Sequence, residues 1–206
     1  MSTLRYCGPA FLALASWLAY GQDVPGPSVT RVQTNLEIRV SGLPSLRAQS
    51  GDAPDVVATA VATVLNDKDL CCDRRSALED RLPQSDPTSL REVAAKLQGR
   101  QLRTDGRPVL ITAELFTPAA ITASQLLAAI RAKRAALMVW NSRLYVVSGV
   151  VYDDSTYSDG ADTYVIHKLL LLDTRYSDAR REVSFNRDTE DLSKVEGLLF
   201  LTVTPQ

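Results

Sequence analysis

The second half of the chain contains four segments that are rich in branched and aromatic side chains. They are residues 136–140, 143–153, 163–173 and 197–203. Side chains of this kind favour β-strands, and loops rich in Asp, Ser and Gly separate the segments. The pattern predicts an antiparallel sheet in this half of the chain.

Helical patterns precede that sheet. The clearest covers 53–66, where Asp52 can cap the helix, Pro54 suits its first turn, and one apolar stripe consists of Val56, Val57, Ala60, Val61, Val64 and Leu65. Two further helices are predicted at 87–98, ending at Gly99, and at 122–135. The last of these opens with Thr122 and Gln125 at the spacing of a capping box.

Two more strands complete the predicted framework. Residues 31–40 alternate between apolar and polar side chains, as in a half-buried strand, and residues 108–116 form a second apolar segment. The fold class is therefore expected to be α+β, with N-terminal helices packed on a C-terminal antiparallel sheet.

Residues 1–21 have the pattern of a signal peptide. Arg5 precedes an apolar run at 10–20 that is too short to span a bilayer, and Ala-Tyr-Gly at 19–21 suits a cleavage site. We expect export to the periplasm or the cell exterior, with Gln22 as the new N-terminus. The alternative is a buried N-terminal helix. Residues 22–50 then form a leader and first strand, and 51–206 a single α+β domain.

Charge and apolar patterning disfavour two classes of partner. Loss of Arg5 leaves 22 basic and 24 acidic side chains, a net charge of −2 that is scattered along the chain. This balance gives no electrostatic case for binding nucleic acid. No later segment is long and apolar enough for a membrane helix, so no membrane association is expected after cleavage. No feature indicates an oligomeric state.

Two cysteines survive the predicted cleavage, Cys71 and Cys72, and they are adjacent. They can form a strained disulfide, remain thiols or pair with another chain, but they cannot supply a disulfide framework. Two adjacent thiols and one distant histidine also lack the spacing of a zinc site. No cofactor motif is present, and neither a cofactor nor a metal is expected. The acidic stretch 153–162 offers carboxylates for calcium, but without a calcium-loop spacing it is interpreted as a solvated hairpin connection.

The order of these elements resembles the second half of papain-like cysteine peptidases, in particular the C39-like branch. "YVVSGVVYDD" is similar to the family's hydrophobic strand, with Gly149 at its glycine, and "LLLLDT" is similar to the later strand, with Asp173 at its acidic position. The resemblance covers about residues 50–175. It implies a papain-like fold, with a catalytic cysteine at the start of the first core helix and a histidine before the glycine strand.

The chain departs from the family at both catalytic positions. Arg143 stands where the resemblance implies the histidine, and a guanidinium stays protonated and cannot accept a proton. The predicted helix start, Asp52–Val57, has no cysteine. The remaining catalytic candidates are Cys71, Cys72, His167 and Asp173. Alternation places His167 on one apolar face of its strand with Val165, Leu169 and Leu171, as in a packed sheet residue.

Three functions follow as hypotheses. The first is an exported, non-catalytic papain-like domain that binds a peptide or protein partner, with Arg143, Asp173 and Tyr145 as candidate binding residues. The second is an active cysteine peptidase that uses Cys71 or Cys72 with His167. The third is a structural secreted domain that is unrelated to peptidases.

Overall fold

A computed structural model describes residues 26–43, 53–65, 82, 89–102, 106–175, 181–186 and 192–206. The predicted signal peptide, Gln22, Cys71 and Cys72 lie outside the described residues. The elements in chain order are β1 Val29–Arg39, α1 Ala53–Leu65, α2 Leu90–Leu97, β2 Gly99–Leu102, β3 Pro108–Phe116, α3 Ala123–Arg131, β4 Ala136–Trp140, β5 Arg143–Tyr157, β6 Asp162–Asp173, β7 Arg181–Asn186, a 3₁₀ turn Leu192–Lys194 and β8 Val195–Pro205.

The strands of the described residues form one antiparallel sheet in the order β2-β3-β8-β4-β5-β6-β7, with β1 paired to β5. The α+β class predicted from the sequence is confirmed. β5 has 15 residues and is the centre of the arrangement. Its first part pairs with β4 and its later part with β1 on the same edge, while β6 follows its other edge.

Gly149 lies where β1 approaches β5. A Cβ atom at this position would lie 2.6 Å from the carbonyl oxygen of Ile38, closer than real Cβ atoms come to backbone. Glycine permits this approach because it has no side chain. The glycine that supports the family resemblance therefore has a local steric reason in this sheet.

Helix α1 is buried on all sides, and this corrects the prediction of a single apolar stripe. The side chains from Asp55 to Leu65 are buried, including those of Thr59 and Thr63. Their hydroxyls bond within the helix: Thr63 Oγ1 donates to the carbonyl of Thr59 at 2.8 Å, and Thr59 Oγ1 to Asp55 Oδ1 at 3.4 Å. A polar side chain can be buried here because its own helix satisfies it. The helix contacts β4, β5 and β8.

Helix α3 confirms the predicted capping box but is shorter than predicted. The backbone amide of Gln125 donates to Thr122 Oγ1 at 3.2 Å, and the backbone amide of Thr122 donates to Gln125 Oε1 at 2.9 Å. The helix ends at Arg131 because Lys133 adopts a positive φ of 59°, which stops helical geometry. The prediction had extended it to residue 135.

Several strand boundaries also differ from the predictions. β5 continues to Tyr157, beyond the predicted end at residue 153, and Gly99 begins β2 instead of a loop. β7 had not been predicted. Helix α2 begins at Leu90, where the prediction had residue 87.

Within the described residues no helix is long and apolar enough to cross a membrane.

Candidate functional site

The end of β6 carries a buried ion pair. Asp173 is 5% exposed, and its two carboxylate oxygens accept from Nε and Nη2 of Arg175 at 2.8 and 2.6 Å. The backbone amide of Arg175 also donates to Asp173, at 3.1 Å. The hydrogen bonds to Asp173 raise the pKa of Arg175 above its ordinary value. Two parallel charge-assisted bonds hold both groups in one geometry.

Aromatic side chains enclose this ion pair. The guanidinium of Arg175 lies 5.7 Å from the ring centre of Tyr145, and the ring of Trp140 lies 5.9 Å from that of Tyr145. Phe185 contacts Trp140 edge-on at 5.2 Å. We call Trp140, Tyr145, Asp173, Arg175 and Phe185 the strand-end cluster. The indole Nε1 of Trp140 is buried and has no hydrogen-bond partner among the described residues.

The first turn of α1 meets the strand-end cluster through Thr174. The buried hydroxyl of Thr174 is 3.4 Å from the carbonyl oxygen of Val56, to which it donates. The start of α1 therefore contacts the residue that directly follows β6. The residues there, Ala53–Val57, carry no thiol or hydroxyl.

The candidate binding residues fall into two environments. Arg143 begins β5, is exposed and pairs with Trp140 across the β4–β5 ladder. Tyr145 and Asp173 are buried, 6% and 5% exposed, inside the strand-end cluster. Asp173 ends β6, the strand beside β5, but it pairs with Arg175. Sequence reasoning missed Arg175, whose only signal was its position two residues after Asp173.

His167 does not lie on the face predicted for it. A register irregularity between β5 and β6 at this point breaks the alternation, so Leu169 is buried while His167 is half-buried. His167 Nε2 lies 2.9 Å from Asp153 Oδ2, and the backbone amide of Asn35 donates to Asp153 Oδ1 at 2.8 Å. The described structure gives His167 an acidic partner, Asp153, which is not Asp173.

The acidic stretch 153–162 belongs to the β5–β6 hairpin, in which β5 extends further than predicted. Asp153 and Asp154 belong to β5, and Asp162 begins β6. Asp159 accepts from the amide of Ala161 at 3.0 Å within the turn, and Asp162 accepts from the hydroxyl of Thr156 at 2.9 Å. In the described parts of the chain no group of three or more His, Cys, Asp or Glu side chains is placed to hold a metal ion.

The contacts of Asp153 predict a pH dependence of stability. The hydrogen bond from the backbone amide of Asn35 lowers the pKa of Asp153 below its ordinary value, and the hydrogen bond from His167 lowers it by a smaller amount. A carboxylate with a lowered pKa stabilises the folded state above its unfolded pKa of about 3.9, and this contribution is lost as the pH falls through the folded pKa. The Tm difference between wild type and Asp153→Asn should thus be present at about pH 5 and shrink below about pH 4.

Thermal unfolding from pH 2 to 7 measures that difference. Asp159→Asn is the matched control, since Asp159 lies in the exposed turn and contacts only a nearby amide. Its Tm difference should vary little with pH. A destabilisation by Asp153→Asn that persists unchanged at pH 2 would contradict the prediction.

A surface cleft lies at the same end of the sheet, around the β4–β5 turn. It has a volume of about 520 Å³, and its lining includes Ser89, Val139, Asn141, Ser142, Lys194 and Glu196. We call it the turn cleft. Asn141 and Ser142 adopt φ angles of 50° and 60°, as the two central residues of a tight hairpin turn do. The backbone amide of Asn141 donates to the backbone carbonyl of Lys194 at 3.1 Å, which joins the turn to the start of β8.

Glu196 connects the turn cleft to α2. Its Oε1 accepts from the backbone amide of Leu90 at 3.1 Å and from the hydroxyl of Ser89 at 3.4 Å. The carboxylate therefore satisfies a free amide at the helix start, where the helix dipole is positive. Sequence reasoning could not find this contact, because 106 residues separate Glu196 from Leu90.

Comparison with known proteins adds no relative. No protein-family model matches this chain, and no curated protein or solved structure matches it.

Proposed function

We propose that the chain is an exported, non-catalytic domain of papain-like type that binds a peptide or protein partner at the sheet end carrying Arg143 and the turn cleft. The observation that supports this most is the buried pair between Asp173 and Arg175. In a papain-like enzyme the residue at the position of Asp173 would orient a catalytic base. Here both of its oxygens are bonded to an arginine.

The neighbouring positions support the same proposal. Arg143, at the position of the base, is exposed and permanently charged, so it can bind an anion but cannot take a proton. The start of α1, Ala53–Val57, meets the end of β6 but carries no nucleophile. A surface cleft of about 520 Å³, within the usual range of ligand sites, is lined in part by Ser142, the residue before Arg143.

One observation favours a second candidate, a thiol hydrolase that uses Cys71 or Cys72 with His167. Asp153 holds Nε2 of His167 at 2.9 Å, and an imidazole oriented by a carboxylate is what a general base requires. The two functions differ in an outcome that can be measured, since only the second consumes peptide.

The test is to assay binding and hydrolysis on one broad peptide library, under reducing conditions. Wild type and Cys71→Ala/Cys72→Ala should bind the same peptides and leave all of them intact. Thiol-dependent hydrolysis that disappears in the double variant and in His167→Ala would support the second candidate. Neither binding nor hydrolysis would leave a structural domain as the explanation.

Export is tested on the same material. N-terminal sequencing of protein recovered from the periplasm or medium should start at Gln22 or within a few residues of it. An intact Met1 on protein found only in the cytosol would remove export from the proposal.

A further inference from the structure

The turn cleft is lined by one acidic side chain, Glu196, and one basic side chain, Lys194. A neighbouring group offsets part of the charge of Glu196 but not that of Lys194. The negative charge of Glu196 faces the start of α2, where Leu90 N–H and the Ser89 hydroxyl donate to it. The positive end of the helix dipole therefore offsets part of that charge. Lys194 forms no ion pair within the described part of the chain.

A second cation is adjacent in sequence to the lining of the turn cleft. Arg143 directly follows Ser142, is exposed, and likewise has no acidic partner among the described residues. Lys194 and Arg143 together give this sheet end an excess of positive charge that the chain as a whole does not have, since its net charge is −1. A local excess of one charge in a concave site attracts a ligand of the opposite charge.

The other lining groups suit a peptide chain that ends in a carboxylate. The Asn141 side chain can both donate to and accept from a peptide group, and the Ser142 hydroxyl can do the same. The Ser89 hydroxyl donates to Glu196 and can accept from the peptide. Val139 is buried below them and offers an apolar surface to a side chain.

We infer that the turn cleft binds a carboxylate of the peptide partner, with Lys194 and Arg143 as its cationic contacts. The inference rests on the proposed function and narrows it from peptide binding to recognition of an acidic group. That group is either the free C-terminus of a peptide or an Asp or Glu side chain within it, and these two sources share the same chemistry.

The experiment uses tetrapeptides of mixed sequence, each prepared as the free acid, as the C-terminal amide, and as the amide with one internal Glu. Affinities for the wild-type chain are measured by isothermal titration calorimetry. The acid should bind more tightly than the plain amide by roughly 5- to 20-fold, as expected for a charge-assisted bond at a partly exposed site. The C-terminal amide with an internal Glu should bind as tightly as the free acid only if the cleft recognises a side-chain carboxylate.

Variants of the two basic side chains test which of them binds the carboxylate. Lys194→Gln and Arg143→Gln should each weaken binding of the acid by roughly 3- to 10-fold and leave binding of the plain amide unchanged. Arg31→Gln is the charge-matched control, because Arg31 is exposed near the far end of β5, opposite Thr156. Glu196→Gln keeps the oxygen that caps α2, and it should not weaken binding of the acid.

The outcomes separate this inference from the proposed function. Equal affinity for acid and amide peptides, with Lys194→Gln silent, would overturn carboxylate recognition and leave peptide binding in place. Loss of binding in Glu196→Gln but not in Lys194→Gln would overturn it in favour of a cationic ligand group. Absence of binding by every peptide would overturn both proposals.

Discussion

Replacing Val61 with Asp is expected to abolish folding of the domain. Val61 is 0% exposed and lies in the middle of α1, which is buried on every side, so the new carboxylate would have neither water nor a cation in contact. An unpaired buried charge costs several kcal/mol, which is comparable to the roughly 5–15 kcal/mol stability of a whole domain. Circular dichroism should show loss of the cooperative thermal transition.

Two control variants make that result specific. Val61→Ala removes two methyl groups without adding charge, and it should lower stability by roughly 1–3 kcal/mol while leaving a cooperative transition. Arg39→Gln changes a side chain that is 47% exposed and pairs with the equally exposed Glu37, so it should change Tm little. If Val61→Asp unfolds at the same temperature as Arg39→Gln, the placement of α1 in the core is wrong.

Replacing Asp173 with Ala is expected to have the second largest effect, a loss of roughly 2–4 kcal/mol. The side chain of Asp173 is 4% exposed and that of Arg175 is 24% exposed, so the change leaves a partly buried guanidinium beside Tyr145 without its counter-ion. For a chain of this size each kcal/mol shifts Tm by about 2–4 °C. Chemical denaturation of wild type and variant measures the difference.

A double-mutant cycle distinguishes loss of the pair from loss of one side chain. Arg175→Met keeps an unbranched apolar side chain beside Tyr145 but removes the guanidinium and its charge. The double variant Asp173→Ala/Arg175→Met should be less destabilised than the sum of the single variants, because no unpaired charge remains. Additive effects would show that the two groups do not stabilise the fold as a pair, and would weaken the explanation of why Asp173 cannot orient a base.

The elements that the sequence predicted well are those whose signals are local. The capping box of Thr122 and Gln125 needs only residues three positions apart, and the structure confirms it. The strands at 108–116 and 136–140 have the predicted boundaries, because a continuous apolar segment between turns specifies a strand without reference to its partners.

The features that sequence reasoning missed depend on contacts between distant residues. The apolar stripe of α1 was visible, but burial of Ala58, Thr59 and Ala62 depends on what surrounds the helix. His167 was assigned by alternation, and the irregularity that breaks this alternation belongs to the pairing of β6 with β5. β2 is a strand of four residues with little apolar character, and its partner is β3.

The candidate site divides in the same way. Arg143 was identified as a permanent charge at a strand start, because a sequence pattern can locate a strand start. The Arg175 pair and the Glu196 cap were not identified, because they require knowing which side chains meet in three dimensions. The turn cleft exists only once the β4–β5 turn, β8 and α2 have come together.

The pairing of β1 with β5 has a consequence for the order in which the sheet assembles. The Asn35 amide reaches Asp153 across 118 residues, and Thr30 reaches Thr156 across 126. β1 leaves the ribosome early, but its partner is synthesised only after most of the described chain. Contacts this distant in sequence form slowly, since a long loop must close first. The growing chain therefore lacks its complete sheet through most of synthesis, and β1 has no partner strand until β5 has been made.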